Sequence, residues 1–306
     1  MAATAFAASP RRVPWRLALL RQARRFAHLP LLLPASALTI AIFWVAMGVL
    51  LVMSVYPFLA SGTPRLTLAA WIKFLTDPYY WGVVWTTLEL GFLVALLTLA
   101  IGYPAAYAMS RIRRPAVLLA TYVILFSPIL VSVVVRTYGW LLLLAKDGAV
   151  NFVLLRSGLV HAPVPLIFNM TGIVIAMVHI LLPFMVFPIL SVIAQLTPDL
   201  REAAMDLGAT RWETFRRVTL PLTLPGITSG AQIVFTLTIS AFVTPFLMGG
   251  GKVQVLTAVV YRDMEAVNLG FASVIAFAML ALAAAILVVG NLLTRHAYTR
   301  AEILRT

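Results

Sequence analysis

The sequence predicts an all-α integral membrane protein with six transmembrane helices and both termini in the cytoplasm. Three observations carry this. Hydrophobic residues make up 62% of the 306 residues and charged residues 11%, against about 45–50% and 25% in a soluble domain. That leaves too little polar surface to coat a soluble body of this size and too much apolar surface for a disordered chain. Six segments are mostly apolar over the roughly 20 residues that a helix needs to cross a bilayer. The basic residues, finally, fall unevenly between the loops.

The spans lie at about residues 32–57, 83–109, 117–135, 170–190, 223–247 and 271–293. The apolar run of the third continues to about residue 144, with Arg136 interrupting it. Upstream, the cluster Leu17 to Leu20 is too short for a cleavable signal and runs into Arg21, Arg24 and Arg25. The Arg11–Arg12 pair lacks the long apolar region of a twin-arginine address. The N-terminal tail holds Arg11, Arg12, Arg16, Arg21, Arg24 and Arg25, and the second loop Arg111, Arg113 and Arg114. The fourth loop holds Arg201, Arg211, Arg216 and Arg217, and the C-terminal tail Arg295, Arg300 and Arg305. Sixteen of the 23 Lys and Arg residues thus share one side. Arg65, Lys73, Lys146, Arg156, Lys252 and Arg262 lie on the other, and Arg136 is the remaining one. The basic-rich side is cytoplasmic, so the net charge of +13 reads as membrane orientation rather than nucleic-acid binding. The organisation is a cytoplasmic basic tail (1–30), a six-helix domain (31–295) and a short cytoplasmic C-terminal tail (296–306). The absence of cysteine excludes disulfides and thiolate chemistry.

The loop at 197–220 carries the most information. Thr197 followed by Pro198 reads as a helix start, a capping hydroxyl and then proline at the first helical position. Asp199 and Glu202 put negative charge near the positive end of that helix dipole. Leu200, Ala203, Ala204 and Leu207 recur at helical spacing, and Gly208 is a stop signal. A second start follows in Thr210 and Glu213, spaced as a capping box, with Trp212, Phe215 and Val218 forming another apolar stripe. Pro221 then begins the next span. The reading is two short helices separated by a glycine turn. Their small residues either admit another protein's backbone or rest on the chain's own bundle.

Ionisable residues inside spans are costly in hydrocarbon, which makes them candidates for function. Glu89 falls about 10 Å into the second span from the outside and Arg136 roughly 28 Å along the third from the inside, counting 1.5 Å per residue. Glu89 either attracts a cation at an outer gate or partners Arg136 or the hydroxyls of Thr86 and Thr87. Arg136 either serves the pathway or snorkels to headgroups. His179 lies near the midplane of the fourth span, as a packed neutral imidazole or a pathway residue. Pro128, after Ser127, marks a kink at a gate or a packing kink. Asp263 and Glu265 on the outer side either contact a periplasmic protein or are simply solvated.

Glu202-Ala203-Ala204, Gly208 and Leu220-Pro221 resemble the EAA loop of permease subunits in bacterial binding-protein-dependent ABC importers of the MetI-like type. Gly102-Tyr-Pro-Ala-Ala-Tyr107, Arg136-Thr-Tyr-Gly-Trp140, Gly148 to Asn151, Leu182-Pro-Phe184 and Pro245-Phe-Leu-Met-Gly-Gly250 are similar to its spermidine/putrescine branch. The resemblance covers roughly residues 35–290 and departs at Met248, where the branch more often has leucine. It implies a six-helix permease domain in the bacterial inner (plasma) membrane that moves a small solute from periplasm to cytoplasm. It also implies that Glu202, Ala203, Ala204, Asp206, Leu207, Gly208 and Ala209 form a coupling helix seated in a groove of a cytoplasmic ABC ATPase dimer. A second, homologous permease subunit and a periplasmic solute-binding protein complete the implied assembly. A polyamine is the implied cargo, with opines, amino-acid derivatives and ferric ion left open.

No G-x-x-x-x-G-K-[ST] motif occurs. Gly249-Gly-Gly-Lys252 lacks its first glycine and reads as a flexible outer turn. ATP is therefore expected on the partner ATPase, and no cofactor on this chain. The four histidines are scattered, so neither a metal site nor catalysis is expected. A secondary transporter would need several membrane-embedded acids for ion coupling, and only Glu89 is available.

Overall fold

The computed structural model describes residues 29–56 and 66–303. The N-terminal arginines, Arg65 and Arg305 lie outside them. Among the described residues, six helical stretches are long and apolar enough to cross a membrane: Ser36–Val55, Pro78–Met109, Val133–Arg156, Met170–Ala194, Arg211–Ser240 and Leu269–Leu292. The chain divides into two units at Met53/Ser54. The first is built on α1 (Leu29–Val55), a helix apolar around its whole circumference, as lipid immersion requires.

The second unit is centred on α3 (Pro78–Met109), α7 (Met170–Ala194) and α10 (Leu220–Ser240). Asp77 starts α3, its side chain accepting from the Tyr79 N–H at 2.9 Å with Pro78 at the first position. Leu90, Val94, Ile173, Met185, Ile189 and Val234 fill the space between the three helices. In lipid, such packing depends on close backbone approach more than on the hydrophobic effect. Gly226 supplies it: a Cβ there would lie 2.7 Å from the Pro188 carbonyl oxygen and 2.9 Å from the Ile189 Cα. A second cluster, including Phe74, Tyr80, Leu256, Val259 and Phe271, joins α2 (Ala69–Thr76), the start of α3, α12 (Leu256–Glu265) and α13 (Leu269–Ile303).

The third predicted span, 117–135, is not one helix. Helix α4 (Pro115–Leu130) stops short, Val131 is extended, and α5 (Val133–Leu144) follows from Ser132 at its N-cap. Sixteen residues reach only about 24 Å of a roughly 30 Å core. Pro128 lies inside the last turn of α4, where it cannot donate to the Ile124 carbonyl and its ring crowds the preceding turn. The Ser127 hydroxyl donates to Ile124 O at 2.9 Å instead. The chain returns across the bundle through α4, α5 and α6 (Ala149–Arg156). Buried Asn151 pins the connection into α7, bonding Ala145 O, Val164 O and Val164 N at 3.0, 3.0 and 2.8 Å.

The fifth span also differs from 223–247. Its helix begins at Arg211 and ends at Ser240, and α11 (Val243–Gly249) follows a break at Ala241–Phe242. Pro245 has no N–H to give the Ala241 carbonyl, which accepts from the Thr257 hydroxyl at 2.9 Å. The turn at Gly249–Lys252 is present, with Gly250 and Gly251 at φ 55° and 75°. It is packed, since a Cβ on Gly250 would meet the Phe168 ring at 2.2 Å.

Candidate functional site

Between α7 and α10 the chain forms α8 (Pro198–Asp206). Proline sits at the first position and Asp199 in the first turn. Thr197 occupies the cap in extended backbone, but its side chain makes no capping bond, contrary to the hydroxyl cap expected from the sequence. The far end closes with two bonds, Ala209 N to Ala204 O at 3.1 Å and Gly208 N to Met205 O at 2.9 Å. This is a Schellman turn, which needs a left-handed residue after the cap. Gly208 provides it at φ 85°.

The capping box forms as predicted. The Glu213 carboxylate accepts from Thr210 N and the Thr210 hydroxyl, both at 2.9 Å, and that hydroxyl accepts from Glu213 N at 3.2 Å. What it starts is not a second short helix. Helix α9 (Arg211–Thr214) passes into a π-helical segment, Phe215–Thr219, and on into α10. Pro221 cannot bond the Arg217 carbonyl, and the Leu220 N–H reaches back five residues to Phe215 O, the wider turn that a π-bulge provides.

Glu202, Ala203, Asp206, Leu207 and Gly208 lie exposed on α8 and its turn, and Ala204 and Ala209 are half-buried. Leu207 is 90% exposed, so the apolar stripe read from the sequence is not consumed by the chain's own bundle. Beneath it lies an aromatic base. The Phe215 ring meets Tyr107 at 5.6 Å, Tyr103 at 5.9 Å and Trp212 at 5.4 Å between centroids. The Tyr103 hydroxyl pairs with that of Thr223 at 3.0 Å. Arg111 lies over the Tyr107 ring at 4.6 Å and donates to its hydroxyl. Arg201 of α8 lies over the same ring at 5.7 Å. Its Nε is buried and makes no hydrogen bond among the described residues. These contacts bring the C-terminal end of α3 together with α8, the π segment and the start of α10. Sequence reasoning did not bring Tyr103, Tyr107 and Phe215 together; two aromatics four residues apart on one helix were the available signal.

The other candidates lie elsewhere. Glu89 is exposed on α3, eleven residues after Pro78 and so about 16 Å along that helix. No ion pair joins it to Arg136 among the described residues. Arg136 donates to the Pro128 carbonyl, so these two candidates meet. His179 is exposed on the largely buried α7 and accepts from the Trp140 indole N–H at 3.3 Å, rings edge to face at 5.3 Å. Asp263 and Glu265 both lie on α12. Burial pushes the Asp263 carboxyl above the usual carboxylate value, opposed by the Asn268 amide at 3.3 Å. Among the described residues no three His, Asp or Glu side chains gather as metal ligands would.

Residues 98–302 match the family described as binding-protein-dependent transport system inner membrane component. The chain belongs to that family. The match takes in α7, α8, the π segment and α10, the elements that build the exposed face, and α13. Membership in this inner-membrane family accords with the six apolar helices. The chain is 35% identical over 192 residues to the spermidine/putrescine transport system permease protein PotB of Haemophilus influenzae, covering 62% of this chain and 66% of that one. It is 36% identical over 181 residues to PotB of Escherichia coli strain K12, covering 58% and 64%. The inner membrane ABC transporter permease protein YdcU of the same strain is 34% identical over 203 residues, covering 63% and 64%. The chain thus spans a little under two thirds of the length of these curated relatives. A chain from the crystal structure of a bacterial alginate ABC transporter, complexed with an alginate pentasaccharide-bound periplasmic protein, superposes with a TM-score of 0.75. That superposition covers 91% of this chain and 97% of the other at 19% identity, so the two share a fold.

Proposed function

We propose that the chain is a permease subunit of an ABC importer, carrying a polyamine such as spermidine or putrescine from periplasm to cytoplasm. The supporting observation is α8: an acid-led helix of small and apolar residues, left exposed yet fixed to the bundle through Arg201, Tyr107 and Phe215. Such a helix suits insertion into a groove of another protein. Closure of a cytoplasmic ATPase dimer, where ATP is bound, moves Glu202–Ala209; the π segment passes the motion to α10, and the spans switch between inward- and outward-facing states. A second, homologous permease completes the pathway. A periplasmic binding protein docks at the outer side, near Asp263 and Glu265. The polyamine assignment follows the PotB relatives.

The test is reconstitution of the importer in proteoliposomes with its ATPase and binding protein. Saturable uptake of labelled spermidine, dependent on ATP and on the binding protein, is expected. Uptake that persists without ATP removes the ABC reading. ATP-dependent uptake of another solute alone removes the polyamine.

A further inference from the structure

Helix α10 breaks at Ala241–Phe242, and the break turns Phe242 and Phe246 toward Tyr261 of α12. The three ring centroids form a triangle with sides of 5.0, 4.7 and 5.3 Å. Phe246 remains 42% exposed and Tyr261 36% exposed, so ring surface is left open after the rings have packed together. One turn beyond Tyr261, four positions on along the same helix, stands the exposed Glu265, close enough in that spacing for its carboxylate to face the Tyr261 side. The neighbouring guanidinium of Arg262 is directed elsewhere, to the Tyr79 hydroxyl at 2.8 Å and Gln254 Oε1 at 3.1 Å. A carboxylate beside open aromatic rings, with the nearby guanidinium bound elsewhere, suits an alkylammonium ion. The charge is met by Glu265 and the ring quadrupoles, and the methylenes lie along Phe246.

We propose that Phe242, Phe246, Tyr261 and Glu265 form a subsite for one ammonium end of an alkyl polyamine at the outer mouth of the pathway. This rests on the polyamine reading above and adds the place where the substrate first meets this chain. The break at Ala241–Phe242 sets the course of α11, on which Phe242 and Phe246 stand one turn apart and meet Tyr261 of α12.

The test uses the complete importer in proteoliposomes, with labelled spermidine as the probe and uptake normalised to assembled complex. Phe246→Leu keeps the apolar volume and removes the ring quadrupole, and should raise the KM for spermidine about tenfold. Tyr261→Leu should do the same, and Tyr261→Phe should recover most of the loss. Glu265→Gln, at an exposed position, is the variant least exposed to folding failure and should raise the KM several-fold. Wild-type uptake with an unchanged KM in Phe246→Leu and Glu265→Gln overturns the subsite and leaves the polyamine reading standing. A wild-type importer that carries another solute and no polyamine overturns both, before any variant is measured.

Discussion

Phe215 and Tyr107 stand edge to face, 5.6 Å between centroids and 75° between planes, although 108 positions separate them in the chain. Phe215 opens the π segment, and Tyr107 lies at the end of α3 under Arg201 of α8. The pair therefore connects the exposed helix to the bundle. Each aromatic pair contributes about 0.5–1.5 kcal/mol beyond area burial, and Phe215 meets three rings. Phe215→Leu should cost about 2–4 kcal/mol in local stability and free α8 to move without α10. Solute moved per ATP hydrolysed should fall several-fold while hydrolysis continues. Parallel uptake and phosphate-release measurements decide this; an unchanged ratio would show that α8 transmits force by another route.

Two Schellman turns give a second prediction, because only one has glycine. Gly208 closes α8 at φ 85°, and Val267 closes α12 at φ 58°, with Asn268 N bonding Asp263 O at 2.8 Å and Val267 N bonding Met264 O at 3.0 Å. A left-handed β-branched residue is strained by about 1–2 kcal/mol. Val267→Gly should raise the thermal midpoint, and Gly208→Ala should lower it, with Gly208→Asn between. No neighbour stands within 4 Å of a Cβ built on Gly208. Gly208→Arg should accordingly still insert into the membrane yet abolish coupled uptake, and normal uptake would remove α8 from the coupling role.

Those two turns also show what was legible. Gly208, Pro198 and the Thr210–Glu213 box are local signals, and α8 and the start of the following helix were readable from them. Helix α12 has no such signals: Val267 does not read as a stop, and its N-terminus is held from 169 positions away, by the Thr87 hydroxyl accepting from Leu256 N at 3.0 Å. The π segment was hidden for a different reason. Pro221 reads equally well as a first helical residue, and only the continuous run from Arg211 shows that it lies inside a helix. Long-range contacts such as Phe215–Tyr107 and Phe242–Tyr261 leave no periodic trace, because each partner belongs to its own helix pattern.

Asp263 gives a pH prediction. Burial raises its carboxyl above the ordinary 3.8, so the folded state binds the proton more tightly than the unfolded chain. The stability this group contributes is fully present below 3.8 and is lost as pH rises through the raised folded value. Asp263→Asn removes that dependence. The variant's midpoint should gain on wild type as pH rises through this window and hold the gain above it. A constant difference across the titration would mean that the group's environment is the same in both states.

The break after α4 yields a prediction that isolates one hydrogen bond. Pro128 leaves the Ile124 carbonyl without its helical donor, and the Ser127 hydroxyl supplies one at 2.9 Å. Hydrocarbon offers no water to replace it. Ser127→Ala should therefore cost about 1–2 kcal/mol in the native chain. In a Pro128→Ala background the restored N–H reclaims that carbonyl, so the same Ser127→Ala change should cost close to nothing. The double-mutant cycle, read by thermal unfolding of the purified chain, should thus give an interaction of about 1 kcal/mol or more. The Arg136 guanidinium holds the Pro128 carbonyl from the other side of the break. Arg136→Met should accordingly speed amide exchange over 127–135 in either background, since it acts on a different carbonyl. Additive costs at Ser127 and Pro128 would mean that the hydroxyl bond is incidental and that the helix ends at Leu130 for reasons of packing alone.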